Sequence, residues 1–381
     1  MPDADRQRPA GAAPRRLRDF GIALGHYPTG PENALTDVPG VRVGHTTLIQ
    51  GDGPLVPGKG PVRTGVTAIV PSDNIFDQRV IANGFVLNGA GEVSGMTQLT
   101  EWGLLETPIL LTNTMSVGKV SDATIKWMTR RHPGIGTDFD VLIPIVGECD
   151  DSFLNDAVGR HIRSEHVYRA IESATAGRVA EGSVGAGTGM ITCDFKGGIG
   201  TSSRRVTIDE ITYTLGTLVL TNFGVAKNLR IDGVPVGEVL EPDYRDVIKR
   251  MYSYGSIICV VATDAPMLPV QLGRVCKRAS LGIGRSGSYA AHGSGEIVVG
   301  FSTANKVPRV AARMRTQIDV LLDTAMNGFY EAVVECTEEA IANALFQGGD
   351  MTGQSGHFAP GLPAARAAEI IKRARAAIVP T

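Results

Sequence analysis

The chain has 381 residues, 37 of them basic and 39 acidic, for a net charge of −2, and 43% are hydrophobic. That balance leaves no electrostatic footprint for nucleic acid or an anionic membrane surface, and no apolar run approaches the ~20 residues that cross a bilayer. The 47 glycines follow no triplet period, which excludes collagen and points to tight turns and close backbone approaches.

The start is rich in Pro, Ala and Arg, so residues 1–25 read as a disordered tail before a single domain over 26–381. Arg15, Arg16 and Arg18 precede no apolar stretch, and no signal peptide is expected. Short β-branched runs between turn residues predict strands at 41–48, 65–70, 108–112 and 141–146. Helices are predicted at 122–131 and 154–175, the second from the apolar series Val158, Ile162, Val167 and Ile171. Strands follow at 182–193, 205–213 and 215–221, then a short helix at 243–253. The run 254–261 is almost wholly apolar, as a strand buried on both faces would be. A strand at 295–302, helices at 307–325 and 327–347, a Gly-rich loop at 348–363 and a helix at 364–378 complete the order. Strands in sets, rather than strict βαβ alternation, favour a layered α+β fold.

Several chemistries are excluded. The five cysteines are odd in number, widely spaced and form no CxxC, so neither a disulfide framework nor a zinc site is expected, and reduced thiols in the cytoplasm fit best. The Gly-rich stretch 182–189 lacks the Gly spacing of a dinucleotide fingerprint and the Lys of a P-loop. His161 and His166 lie about 140° apart on a helix, too far to share a metal. No HExxH and no GxSxG occurs, and no cofactor is expected.

The informative segment runs from 254 to 302. Ser256 follows Gly255 and begins the apolar strand. Ser294 and Glu296 lie two apart at the mouth of another strand, so their side chains share a face, as a proton-handling pair would.

At this point the residues resemble the L-aminopeptidase/D-esterase (D-Ala-esterase/amidase) and β-peptidyl aminopeptidase family of self-processing, N-terminal-nucleophile-like hydrolases. The resemblance runs from about residue 30 to 365. It is carried by Asn33-Ala-Leu-Thr-Asp-Val-Pro-Gly-Val-Arg-Val-Gly-His45, Asn88-Gly-Ala-Gly-Glu-Val-Ser-Gly95 and Leu111-Thr-Asn-Thr-Met-Ser-Val-Gly118. It continues in Gly147-Glu-Cys-Asp-Asp-Ser-Phe-Leu-Asn-Asp156, Gly185-Ala-Gly-Thr-Gly-Met190, Gly255-Ser256, Ala262-Thr-Asp-Ala-Pro266 and His292-Gly-Ser-Gly-Glu296. It implies a four-layer α-β-β-α sandwich and a precursor cut into residues 1–255 and 256–381. It also implies tetramers of such heterodimers and small peptide, amide or ester substrates.

By motif, Ser256 is then the nucleophile, and Ser294 and Glu296 orient and activate it. Asn222 stabilises the oxyanion, and Glu148 holds the substrate's free amine. Asp150 is placed with Glu148 at the substrate site by the same resemblance but departs from the pattern, standing where the L-aminopeptidases carry Tyr and the β-peptide-cleaving members an apolar residue, so an acidic side chain there would change the substrate's charge preference. Both the freed α-amine, with an ordinary pKa of about 7.7–8.0, and Glu296 acting through Ser294 are candidates for the base. Two other readings remain. One is acyl transfer of the ornithine-acetyltransferase type, although that enzyme uses an N-terminal threonine. The other is an unprocessed homologue that binds or assembles, although the site residues are intact.

Overall fold

The computed structural model describes residues 15–244 and 255–378. In chain order the elements are β1 (Arg42–Gln50), β2 (Val62–Val70), β3 (Gln78–Gly89), β4 (Val93–Ser94), α1 (Met96–Trp102), β5 (Leu104–Leu105) and β6 (Ile109–Asn113). Next come α2 (Val117–Arg131), β7 (Ile145–Cys149), α3 (Ser164–Glu172), β8 (Ile191–Thr192), β9 (Phe195–Lys196), β10 (Ile199–Ile208), β11 (Ile211–Asn222) and α4 (Val236–Tyr244). The last are β12 (Gly255–Thr263), α5 (Pro269–Arg285), β13 (Ser294–Pro308), α6 (Met326–Gln347), β14 (Met351–Thr352), β15 (Phe358–Ala359) and α7 (Ala364–Ile378).

Two sheets stack. One has the order β1-β2-β6-β7-β4, the other β10-β11-β12-β13-β3-β5. The strand period of two sorts their side chains into layers. Along β12, Ile258 and Val260 face the five-stranded sheet and share a core cluster with its Ile69, Leu111 and Ile145. Ile257, Cys259 and Val261 face the other way, against Val275 and Ala279 of α5 and Val333 of α6. On the far side, Val120 of α2 and Val167 of α3 cover Val66, Leu110 and Val146. The order of layers is α-β-β-α, as the resemblance implies. Among the described residues no helix is long and apolar enough to cross a membrane.

Several local expectations need correction. Residues 15–25 are not a tail: Leu17, Ile22 and Leu24 are buried in the core, Arg16 pairs with Glu181 at 2.7 Å, and Arg18 pairs with Glu339 at 2.6 Å. The helix expected over 154–175 is only α3. Before it, the Asp156 carboxylate accepts from Gly58 N and Gly159 N and bridges His161, which holds that stretch in turns. The stretch 182–193 is mostly loop, with a 3-10 turn at Gly185–Gly187, and of the expected strand only Ile191–Thr192 (β8) forms. The strand expected at 205–213 crosses the β10–β11 turn, where Asp209 and Glu210 take φ of 46° and 66°. No helix covers 309–322, because its polar backbone is engaged elsewhere: Asn305 and Asp319 exchange two hydrogen bonds, and Leu321 N donates to Pro266 O. The helix expected at 243–253 lies mostly outside the described residues. Neither β3 nor α5 was anticipated.

The N-terminal segment is tied down by a buried ion network. Arg204 is fully buried, with Nε 2.8 Å from Glu335 and Nη2 2.7 Å from Glu339, and it also donates to Ser203 O and Leu24 O. Removing one partner of a buried pair strands the others, so Arg204→Met is expected to lower stability by about 3–5 kcal/mol. The urea midpoint at unchanged slope measures this; a loss under ~1 kcal/mol would rank the network with surface ion pairs.

Candidate active site

Strand β12 is flanked by β11, antiparallel, and β13, parallel. Its first two residues are Gly255 and Ser256. The register places Ser256 opposite Asn222 on one side and Gly295 on the other. Ser256 Oγ donates to Gly255 O at 2.7 Å and accepts from Gly295 N at 3.3 Å. The hydroxyl therefore touches the carbonyl group that precedes it in the chain.

Ser256 shares its sheet face with Ile258, so it looks toward the five-stranded sheet. Glu148, on β7, comes from that sheet. A Cβ placed on Gly91 would lie 3.2 Å from Glu148 Oε1, 3.6 Å from Ser256 Oγ and 3.4 Å from Gly295 Cα. The serine and the carboxylate thus border the same small space, which glycine leaves open. Glu148 Oε1 accepts from Glu92 N at 2.8 Å and Oε2 from the Thr114 hydroxyl. Burial pushes the Glu148 pKa up, the Thr114 and Glu92 hydrogen bonds pull it back, and the nearby Asp150 and Glu92 charges add to the rise.

Asn222 is held at both ends. Its Oδ1 accepts from Ile191 N at 2.9 Å, and its Nδ2 donates to Asp150 O at 2.8 Å. These partners fix which end of the amide is which. One N–H remains, on the face Asn222 shares with Ser256.

Ser294 and Glu296 are paired as expected: Ser294 Oγ donates to Glu296 Oε1 at 2.5 Å, and Ser288 Oγ donates to the same oxygen at 3.3 Å. Glu296 is fully buried, and among the described residues its Oε2 has no partner. Burial raises its pKa, against the two serine hydrogen bonds. Among the described residues no hydrogen bond joins this pair to Ser256 Oγ. The register sets Ser294 beside Gly255 and Glu296 beside Ile257, whose side chain faces the helices. The pair therefore flanks the 255–256 peptide bond from the other sheet face. There, Ser294 lines a cleft with Gly224, Gly255, Ser288 and Tyr289.

The Asp150 side chain turns back on its own chain. Its exposed carboxylate accepts from Ser152 N at 2.8 Å and Ser152 Oγ at 3.0 Å, and its main-chain oxygen is what meets Asn222. Gly91 and Thr114 lie inside motifs that carry the resemblance, yet no role was read for them. Ile191 acts through its backbone, and nothing in its side chain signals that. Among the described residues no His, Cys, Asp and Glu cluster is arranged to hold a metal.

Comparison with known proteins places the fold in a family. The model of peptidase family S58 matches residues 33–359. A β-peptidyl aminopeptidase of Sphingosinicella microcystinivorans is 42% identical over 378 residues, covering 96% of this chain and 94% of that protein. A solved β-aminopeptidase from a Burkholderia species superposes with a TM-score of 0.86 at 41% identity, over 94% of this chain and 99% of that one. The L-aminopeptidase D-Ala-esterase/amidase of Ochrobactrum anthropi superposes with a TM-score of 0.87 at 36% identity, over 94% and 99%. That structure is described as a prototype for the serine aminopeptidases and a variant of the Ntn hydrolase fold. This chain belongs to peptidase family S58, a family of aminopeptidases.

Proposed function

We propose that the chain is a self-cutting serine aminopeptidase or amidase. It cleaves its own Gly255–Ser256 bond and then uses Ser256 as an N-terminal nucleophile. The observation that carries this reading is the convergence of the Ser256 hydroxyl, the Asn222 amide and the Glu148 carboxylate on one face. In the first step Oγ attacks the Gly255 carbonyl carbon. The C–N bond breaks, the Ser256 amine leaves with a proton, and an ester links Gly255 to Oγ. Water hydrolyses the ester, leaving a carboxylate on Gly255 and a free Ser256.

In turnover the substrate's ammonium pairs with Glu148, which sets the first acyl carbonyl at Ser256 Oγ. The free N–H of Asn222 donates to the oxyanion. The freed amine takes the serine proton, while Ser294 and Glu296, which flank the 255–256 bond from the other sheet face, orient that amine. An aminoacyl ester forms, the leaving amine departs, and water releases the amino acid. Substrates are small peptides, amides or esters with a free amino group. The names of the relatives favour an N-terminal β-residue among them. Tetramers of cut heterodimers, working in the cytoplasm, complete the reading.

A denaturing gel with N-terminal sequencing tests it. Two species are expected, 1–255 and 256–381, the smaller beginning at Ser256. A single full-length species that retains peptidase activity after long incubation would overturn the self-cutting step. The amine site has its own test. Glu148→Gln keeps a polar side chain but removes the charge, and kcat/KM on free-amine amides should fall by roughly 10²-fold or more. The unaltered enzyme should ignore the N-acetylated form of the same substrate. Equal cleavage of both forms would remove Glu148 from the amine site.

A further inference from the structure

A buried cation stands behind the Asn222 amide. Lys196, on β9, is fully buried, and among the described residues it has no carboxylate partner. Its ammonium donates instead to three backbone carbonyls: Gly187 O at 3.0 Å, Met190 O at 2.8 Å and Gly197 O at 2.8 Å. A lysine has three N–H donors, and here all are used. Burial alone lowers its pKa to about 7, while three convergent carbonyl dipoles favour the charged form. An apolar side chain would fill the same space without that desolvation cost.

The contact with Met190 O is the one that leads to the site. Met190 C=O and Ile191 N–H are the two ends of one planar peptide unit. Ile191 N donates to Asn222 Oδ1 at 2.9 Å. The dipoles therefore run head to tail from ammonium to peptide to carboxamide. Hydrogen bonds in such a chain polarise one another. A positive charge on the Met190 oxygen makes Ile191 N–H a stronger donor, and that in turn draws electrons from the Asn222 nitrogen.

We propose that Lys196 is a positioning residue for the reaction, aiming and polarising the free N–H of Asn222 through the Met190–Ile191 peptide. The inference rests on the proposed reading of Asn222 as the oxyanion donor. It differs from a purely structural role, in which the lysine only ties down the Gly-rich loop. A structural tie would move kcat, KM and folding together and would act independently of Asn222.

A double-mutant cycle separates the two roles. The proteins are the unaltered enzyme, Lys196→Met, Asn222→Ala and the double variant. Each is isolated as the cut species, titrated for active sites and assayed on an amino-acid anilide with a free amine. Lys196→Met alone is expected to lower kcat by roughly tenfold to a hundredfold, with KM nearly unchanged. In the Asn222→Ala background the same change should lower kcat by less than about twofold. Additive losses, or losses shared with KM, overturn the inference and leave the reading of Asn222 standing. An Asn222→Ala enzyme with unchanged kcat overturns that reading and the inference with it. Should Lys196→Met not accumulate as folded protein, Lys196→Gln runs the same cycle, since it also lacks the charge.

Discussion

Ser256→Ala is expected to accumulate as one uncut chain with no peptidase activity on any substrate. The alanine keeps the backbone of β12 and both of its ladders but removes the hydroxyl that touches the Gly255 carbonyl. The fold should survive. Among the described residues Ser256 Oγ makes hydrogen bonds to Gly255 O and Gly295 N, and losing a partner of that kind costs about 1–3 kcal/mol. Mass spectrometry of the intact chain after long incubation measures the outcome. Two chains from Ser256→Ala would assign the cut to another group. One chain with undiminished activity would detach catalysis from the cut.

The second large effect is expected at Asn222. Asn222→Ala should lower kcat by roughly 10²–10³, the usual loss for one oxyanion donor. KM should change less, because the donor acts on charge that develops after binding. The proposed self-cutting would pass through a similar tetrahedral species, so it should slow as well. The same change leaves Ile191 N and Asp150 O without their amide partner. A modest fall in melting temperature should accompany the kinetic loss. A fall in melting temperature with kcat intact would give Asn222 a structural role alone.

Legibility varied along the chain for physical reasons. The stretch 254–261 was readable as a doubly buried strand because it is continuously apolar, and β12 occupies it. The helix α5 was invisible because Gly273, Gly282 and Gly284 weaken its helical signal. The structure shows what Gly282 is for: a Cβ there would sit 2.7 Å from Val334 O, so glycine lets α5 and α6 pack closely. The β10–β11 turn was missed because Asp209-Glu210 carries none of the usual Gly or Asn signals.

At the site, the period of two correctly paired Ser294 with Glu296. Which sheet face that pair occupies relative to Ser256 depends on the β12–β13 register, and one strand does not contain that information. The buried lysine is a similar case, since its meaning lies in three carbonyls brought together by a loop.

The six-stranded sheet has a further consequence through its strand order. Strands β12 and β13 lie inside it, with β11 on one side and β3 on the other. Severing the chain before Ser256 would leave one polypeptide threaded between two parts of the other. Neither piece could close this sheet alone, because each lacks the neighbours that the other supplies. Two separately synthesised halves would have to find each other with their apolar central strands bare, in competition with aggregation. A continuous precursor avoids that encounter. Synthesis as one chain would thus be an assembly device, and the proposed scission could be irreversible without dispersing the product.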